Sequence, residues 1–336
     1  MKQTIVLLIA ICAALTSCIT EDVPDNTPEG NFEYLWKTLD RRYCFFEEKN
    51  EQYGVDWNEI YSRYKPAVKS DMSSEQLFQL CGKMLAELRD GHVNLTASHD
   101  MARYWKWFED YPANYSDSIE RIYLGTDYCI TSGMKYRILS DNIGYIRVET
   151  FENSIGSGNM SEMFRSLALC DAIIVDVRSN SGGMLTSAEQ LASGFVNEKT
   201  LACYIRHKTG TGHSDFSDME AVYLTPSQGI RWQKPVAVLT NRHTYSAANT
   251  FVMYVKDLEN FTVIGDKTGG GAGIPFNSEL PNGWSVKFSA CPMYDTARQC
   301  TEEGIDPDIK VDITSDDYQK GIDTIIETAR KVLKSK

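Results

Sequence analysis

What the 336-residue chain lacks narrows the field first. It has no CxxC pair and no Cys/His run with zinc-ligand spacing, so a structural zinc site has no support. No P-loop motif occurs, which leaves a nucleotide without its usual lysine cradle. EF-hand spacing is missing too, although Glu302, Glu303, Asp306 and Asp308 crowd one turn near the C-terminus. Positive charge is scarce. Lys and Arg number 34 against 46 Asp and Glu, a net charge of −12, and no basic stripe is visible. A nucleic-acid binder must neutralise phosphates with clustered cations, so that class is excluded. Neither repeats nor low-complexity tracts appear, and no metal or cofactor is expected.

An apolar run long enough to span a bilayer is also lacking. The opening "MKQTIVLLIAICAALTSC" has a positive Lys2 and then an apolar stretch over 4–15, the pattern of a secretory leader. It ends in Leu15-Thr16-Ser17-Cys18, which resembles a bacterial lipobox. That resemblance implies removal of 1–17 and acylation of Cys18. It also implies anchoring to the outer membrane of a two-membrane cell envelope, on its periplasmic or exposed side. A plain leader with an incidental Cys18 is the alternative. Residues 18–30 are acidic with Pro and Gly and read as a flexible tether. Seven cysteines remain after the lipobox, an odd number, mostly in apolar segments, so buried thiols are expected.

What is present falls into three parts. Residues 31–95 read as a small helical domain. Phe32, Leu35, Trp36, Leu39 and Tyr43 make one stripe of period 3.6, Pro66 stops a second helix, and Ser73 or Ser74 caps a third. Residues 96–134, with the aromatic run "MARYWKWFEDYPANY", read as a connector or a substrate-facing segment. From 135 to 336 strands alternate with helices. "KYRILSDNIGYIRVETF" gives two strands, "DAIIVDVR" and "KPVAVLT" give buried strands, and "YQKGIDTIIETARKVL" gives a terminal amphipathic helix. This alternation predicts an α/β layer with right-handed crossovers.

Chemistry has few candidate carriers. Ser246 lies where the strand ending at Thr240 turns into a helix. A hydroxyl there meets unpaired N–H groups and the positive end of the helix dipole. It is a nucleophile or merely a helix cap; the GxSxG elbow pattern is absent. In "DVRSNSGGM", Gly182 and Gly183 can present backbone N–H groups as an oxyanion hole, or form only a tight turn. His92, in "LRDGHVNL", competes with His99, His207, His213 and His243, and a lone histidine is usually structural.

Taken in order, "LRDGHVNL", "IGYIRVETF", "DAIIVDVRSNSGGM", "LTNRHTYSAANTF", "VIGDKTGGG" and "EEGIDPDIKV" resemble the C-terminal-processing (tail-specific) serine peptidases. The nearest branch is that of the tricorn core protease and the interphotoreceptor retinoid-binding proteins. The resemblance implies a ClpP/crotonase-like β/α core that acts on peptide or protein substrates. It implies Ser246 as nucleophile, with an oxyanion hole from Ala247 and Gly182 or Gly183. Many relatives use a lysine base, but the matching position here is Gly271, and Lys267 lies four residues earlier. The tricorn-like branch implies His92 as base and Glu302, or its neighbour Glu303, as the carboxylate that orients it. Residues 96–134 are too few for the PDZ domain many relatives carry, so none is expected. The alternative on this scaffold is an inactive protein binding peptides or apolar ligands. An ordinary His92 base would lose activity below about pH 6.5.

Overall fold

The structure, a computed structural model, describes residues 25–335. The leader, Cys18 and most of the tether lie outside the described residues. None of the described helices is long and apolar enough to cross a membrane.

The chain opens with helices α1 (Pro28–Arg42), α2 (Phe46–Tyr53), α3 (Trp57–Tyr64) and α4 (Ser74–Ala86). Local chemistry sets their ends. Thr27 caps α1 ahead of Pro28, and Asp56 caps α3. A 3-10 turn holding Pro66 closes α3, and Ser73 with Gln76 forms a reciprocal capping box on α4. Phe32, Leu35, Leu39 and Tyr43 are fully buried. They do not form a core of their own. The same apolar cluster takes in Leu280, Trp284, Val286 and Phe288 from the far end of the chain, so the helices pack on a sheet.

That sheet holds β1 (Asn94–Thr96), β2 (Met101–Arg103), β7 (Thr200–Ile205), β8 (Glu220–Leu224), β11 (Gly273–Glu279) and β12 (Ser285–Tyr294). The order β2-β1-β12-β7-β8 runs along it, and β11 pairs with β12 throughout. Residues 96–134 supply part of this sheet, the one-turn helix α5 (Lys106–Glu109) and helix α6 (Asp117–Leu124).

The second sheet has seven strands in the order β13-β10-β9-β6-β5-β4-β3. They are β3 (Cys129–Thr131), β4 (Met134–Ile138), β5 (Ile143–Arg147), β6 (Ala172–Asp176), β9 (Val236–Thr240), β10 (Phe261–Gly265) and β13 (Ile309–Lys310). From β5 to β13 the pairing is parallel. Side chains alternate between two cores, as a two-residue period demands. Ile173, Val175, Val236 and Val238 face helices α7 (Ser157–Ser166), α8 (Leu185–Ser193) and α9 (Ala247–Val255). Ile174, Ala237 and Leu239 face α6 and α11 (Thr324–Lys334). Both faces are covered, which is why these strands read as unbroken apolar runs. The result is a mixed α/β fold with a helical N-terminal region.

The expected single terminal helix is two helices, α10 (Ser315–Gln319) and α11. Gly321, at φ 70°, ends the first and Asp323 caps the second. All seven described cysteines are free thiols, and four of them are buried.

Candidate active site

The carboxyl ends of β6, β9 and β10 are neighbours in the parallel sheet, so the loops that follow them are neighbours too. The β9 loop leads to Ser246, which sits at φ 56°, ψ −123°, outside the regions an L-residue adopts without strain. Backbone contacts hold it there. The Tyr245 N–H donates to the Asn180 carbonyl at 3.0 Å and the Ser246 N–H to the Gly270 carbonyl at 2.9 Å. Ser246 occupies the N-cap position of α9, yet its side chain makes no capping bond. Its Oγ instead lies 3.0 Å from His92 Nε2.

His92 follows α4 through the Asp90-Gly91 turn and is 5% exposed. Its own N–H donates to Asp90 Oδ1 at 2.6 Å. Its Nδ1 lies 3.4 Å from Ser289 Oγ on β12, and the Ser289 hydroxyl donates to Asp90 Oδ2 at 3.2 Å. A carboxylate only accepts, so the Ser289 hydrogen points to Asp90 and its lone pair is left for an Nδ1–H. Nε2 is then the free acceptor facing Ser246. Burial pushes the His92 imidazole down to about 4. The Asp90 carboxylate opposes that shift, and Lys287 and Lys49 add to it.

Glu302 does not reach the imidazole, contrary to expectation. Its Oε2 accepts the Ala272 N–H at 2.9 Å and its Oε1 lies 3.5 Å from the buried Lys49 Nζ. Glu303 takes the same ammonium at 2.5 Å and the Tyr53 hydroxyl at 2.6 Å. Ser289 stands beside Nδ1, with Asp90 bonded to its hydroxyl. Burial, and then the nearby Asp90 charge, push the Glu302 carboxyl well above the usual carboxylate range, against the pull of Lys49. Glu302 and Glu303 share the one Lys49 ammonium.

The β6 loop supplies N–H groups. Gly182 and Gly183 sit at φ 106° and 135°, and a Cβ on Gly182 would meet the Ser246 Cβ at 2.8 Å. The Gly182 N–H, however, is already given to Asn180 Oδ1 at 2.9 Å. Among the described residues no acceptor takes the N–H of Gly183 or of Ala247, so the expected trio narrows to those two. Sequence reasoning passed over Asn180 although it stands inside "DVRSNSGGM"; an Asn two residues ahead of a glycine is the usual sign of a side chain closing its own turn. The turn is backed by Arg178, wholly buried. It donates to Asp176 at 2.6 and 2.9 Å and to Asp323 at 2.8 Å.

The lysine position of other relatives is closed here. Gly271 has φ 75°, and a Cβ on it would stand 2.5 Å from the Tyr245 ring. Lys267 faces Asp306 at 3.8 Å on the surface. The remaining histidines have other partners. His99 meets Glu75, His213 meets Asp40, His207 meets Cys291, and His243 packs against the Phe108 ring at a tilt.

Ser246 and His92 open into a cleft of about 630 Å³. Trp105 and Trp107 from the aromatic segment line it, with Trp107 stacked on Tyr245 at 4.1 Å. Arg242 fastens that segment, donating to the Trp107 carbonyl at 2.6 Å.

This geometry has named counterparts. Residues 142–311 match the family described as Peptidase family S41, and residues 24–86 match the Tricorn protease C1 domain. A crystal structure of a Parabacteroides merdae protein described as a peptidase is 51% identical. It covers 92% of this chain and 97% of its own, with a TM-score of 0.87. A Tricorn-like protease C-terminal subunit of Sulfurisphaera tokodaii is 29% identical over 206 residues, 58% of this chain and 22% of that protein. The chloroplastic carboxyl-terminal-processing peptidase 2 of Arabidopsis thaliana is 31% identical over 172 residues, 50% of this chain and 32% of that protein. The chain thus spans about a fifth to a third of the length of these curated relatives. With that family spanning half of the sequence, and a half-identical relative aligned along nearly all of both chains, the protein belongs to peptidase family S41.

Proposed function

We propose that the protein is a serine peptidase that cleaves peptide bonds through an acyl-enzyme on Ser246. One observation carries this reading: a strained, reachable serine whose Oγ lies 3.0 Å from a neutral imidazole nitrogen. His92 Nε2 takes the Ser246 proton as Oγ attacks the scissile carbonyl carbon. The negative charge that develops on the carbonyl oxygen meets the N–H groups of Ala247 and Gly183, and removing such a donor typically costs about 10²–10³ in rate. His92 then protonates the leaving amine, and water repeats the sequence to release the acid. Ser289 and Asp90 act as positioning residues. They hold the Nδ1–H tautomer and steady the imidazolium that forms. Glu302 and Glu303 form the layer behind them with Lys49.

A fluorophosphonate probe tests this. Covalent labelling of the folded protein should vanish in Ser246→Ala and follow cleavage of unfolded protein substrates. Because the imidazole is held near 4, both should persist at pH 5.5 and fall only as His92 protonates near pH 4. Absence of labelling at every pH would leave a ligand-binding shell rather than an enzyme.

We infer a lipid anchor at Cys18 from the lipobox alone. An alkyne-palmitate label incorporated in the cells that make the protein should be lost in Cys18→Ser. Equal incorporation would remove the anchor.

A further inference from the structure

One wall of the cleft is a row of polar side chains across paired strands. Asn94 on β1 stands opposite Arg103 on β2 and opposite Lys287 on β12, and Lys287 stands opposite Asn277 on β11. Residues directly opposite share a face of the sheet, and all four line the cleft. The row is tied to the reacting pair. Ser289, which supports His92, lies two residues along β12 from Lys287 on the same face, about 7 Å away. The Lys287 charge is felt at the His92 ring.

Neither cation has a carboxylate within ion-pair reach among the described residues. Arg103 lies instead over the Trp105 ring at 4.1 Å. Both side chains line the open cleft. Asp90, held on Ser289, and two further carboxylates are in the vicinity. Glu152 lines the opposite wall beside Gly183, and Glu279 lies two residues from Asn277 along β11, outside the cleft lining. The cleft is therefore polarised, with its positive side on β12.

We infer that Lys287, with Arg103 at the outer end of the row, forms a subsite that takes the Asp or Glu side chain of a peptide substrate beside the bond attacked by Ser246. This rests on the peptidase reading above. A peptide laid between the Gly183 turn and β12 would direct alternate side chains to that wall. One anionic side chain would replace water on the Lys287 ammonium close to the scissile bond.

The test is digestion of a proteome-derived peptide library, with cleavage sites read by mass spectrometry. Wild-type protein should enrich Asp and Glu about fivefold at one fixed position flanking the cut, the worth of a single half-exposed ion pair. Lys287→Gln should flatten that position, and Lys287→Glu should shift its preference to Lys and Arg, which also shows that the variant is folded. A wild-type profile without acidic enrichment overturns the subsite while leaving the peptidase standing. So does an enrichment unchanged in both variants, or cutting set only by distance from the peptide C-terminus. If wild-type protein yields no cuts beyond those of Ser246→Ala, the peptidase reading falls and the subsite falls with it.

Discussion

Two buried ion clusters stand behind the two halves of the site, and they are built differently. Behind the Gly182-Gly183 turn, Arg178 is wholly buried and its guanidinium is matched by Asp176 and Asp323 in planar, paired geometry. Tyr145 adds a bond to Asp176 at 2.8 Å. Burial alone would raise Asp176, but Arg178 and then Arg147 hold it below the usual carboxylate range. Behind His92, Lys49 faces Glu302 and Glu303 with Asp90 nearby, and burial, then the Asp90 charge, drives Glu302 up. The first cluster is saturated, with Arg178 holding Asp176 toward its ionised form. In the second, burial and neighbouring charge push one carboxyl, Glu302, toward its neutral form. The half of the site that presents backbone N–H groups is backed by matched charges, whereas the half that holds the Ser246–His92 pair is backed by a cluster with more carboxyl groups than ammonium.

The sharpest way to break this contrast is to remove the locked cation. Arg178→Met leaves Asp176 and Asp323 buried without the cation that neutralises them, so it should destabilise the fold by about 3–5 kcal/mol in chemical unfolding. It should also weaken the oxyanion turn, since Asp176 and Arg178 open the "DVRSNSGG" segment. A cost under about 1 kcal/mol would show that water or a neighbour satisfies those carboxylates and that the cluster is not saturated.

The next effect falls on catalysis. Asp90→Asn keeps the shape but puts an NH₂ where an acceptor stood. The Ser289 hydroxyl can then turn toward Nδ1, which favours the tautomer with hydrogen on Nε2. Cleavage should drop by about two to four orders of magnitude, the scale seen when a triad carboxylate is neutralised. Ser289→Ala should lose less, because Nδ1–H can be met by water. The downfield NMR signal of Nδ1–H should change in both. Full activity in Asp90→Asn would return the orienting role to Glu302.

The two halves also differ in how far they can be read from sequence. The loops after β6 and β9 are legible because buried parallel strands are unbroken apolar runs and the turns between strand and helix carry glycines. Ser246 and Gly183 follow from that pattern and from the resemblance to the tail-specific peptidases. The support of His92 is not legible. Ser289 is an inward residue of an ordinary strand, 197 residues from the imidazole it contacts. No local period marks a hydroxyl that reaches across the fold. Resemblance pointed to Glu302, which lies in the right buried cluster, but which carboxyl stands behind the Nδ1 contact is decided by side-chain distances of an ångström or two. The six-stranded sheet is equally hidden, because β1, β2 and β11 are short or exposed and show little alternation.

The smallest effect discriminates best between the two carboxyl groups. Glu302→Gln preserves an oxygen for the Ala272 N–H and removes the ionisation. If Glu302 keeps its proton when folded, cleavage should stay within about tenfold of wild type, since a group that is already neutral supplies no charge to His92. Stability should respond with pH. A carboxyl raised in the folded state contributes stability below its unfolded value near 4.5 and loses it as pH rises toward the folded value. In that window wild-type protein should lose about 1.4 kcal/mol per pH unit relative to the variant, as one proton is held more tightly by the folded state. His92 acts in the opposite sense. Its lowered value gives stability that is present above about 6.5 and lost as pH falls toward 4. Both proteins should share the His92 loss, so the separation of the two stability curves, which opens above about pH 4.5, reports Glu302 alone. Curves that stay parallel from pH 5 to 9, together with a large loss of cleavage, would mean that Glu302 is charged in the folded protein. Both clusters would then be fixed in one charge state, and the contrast between them would disappear.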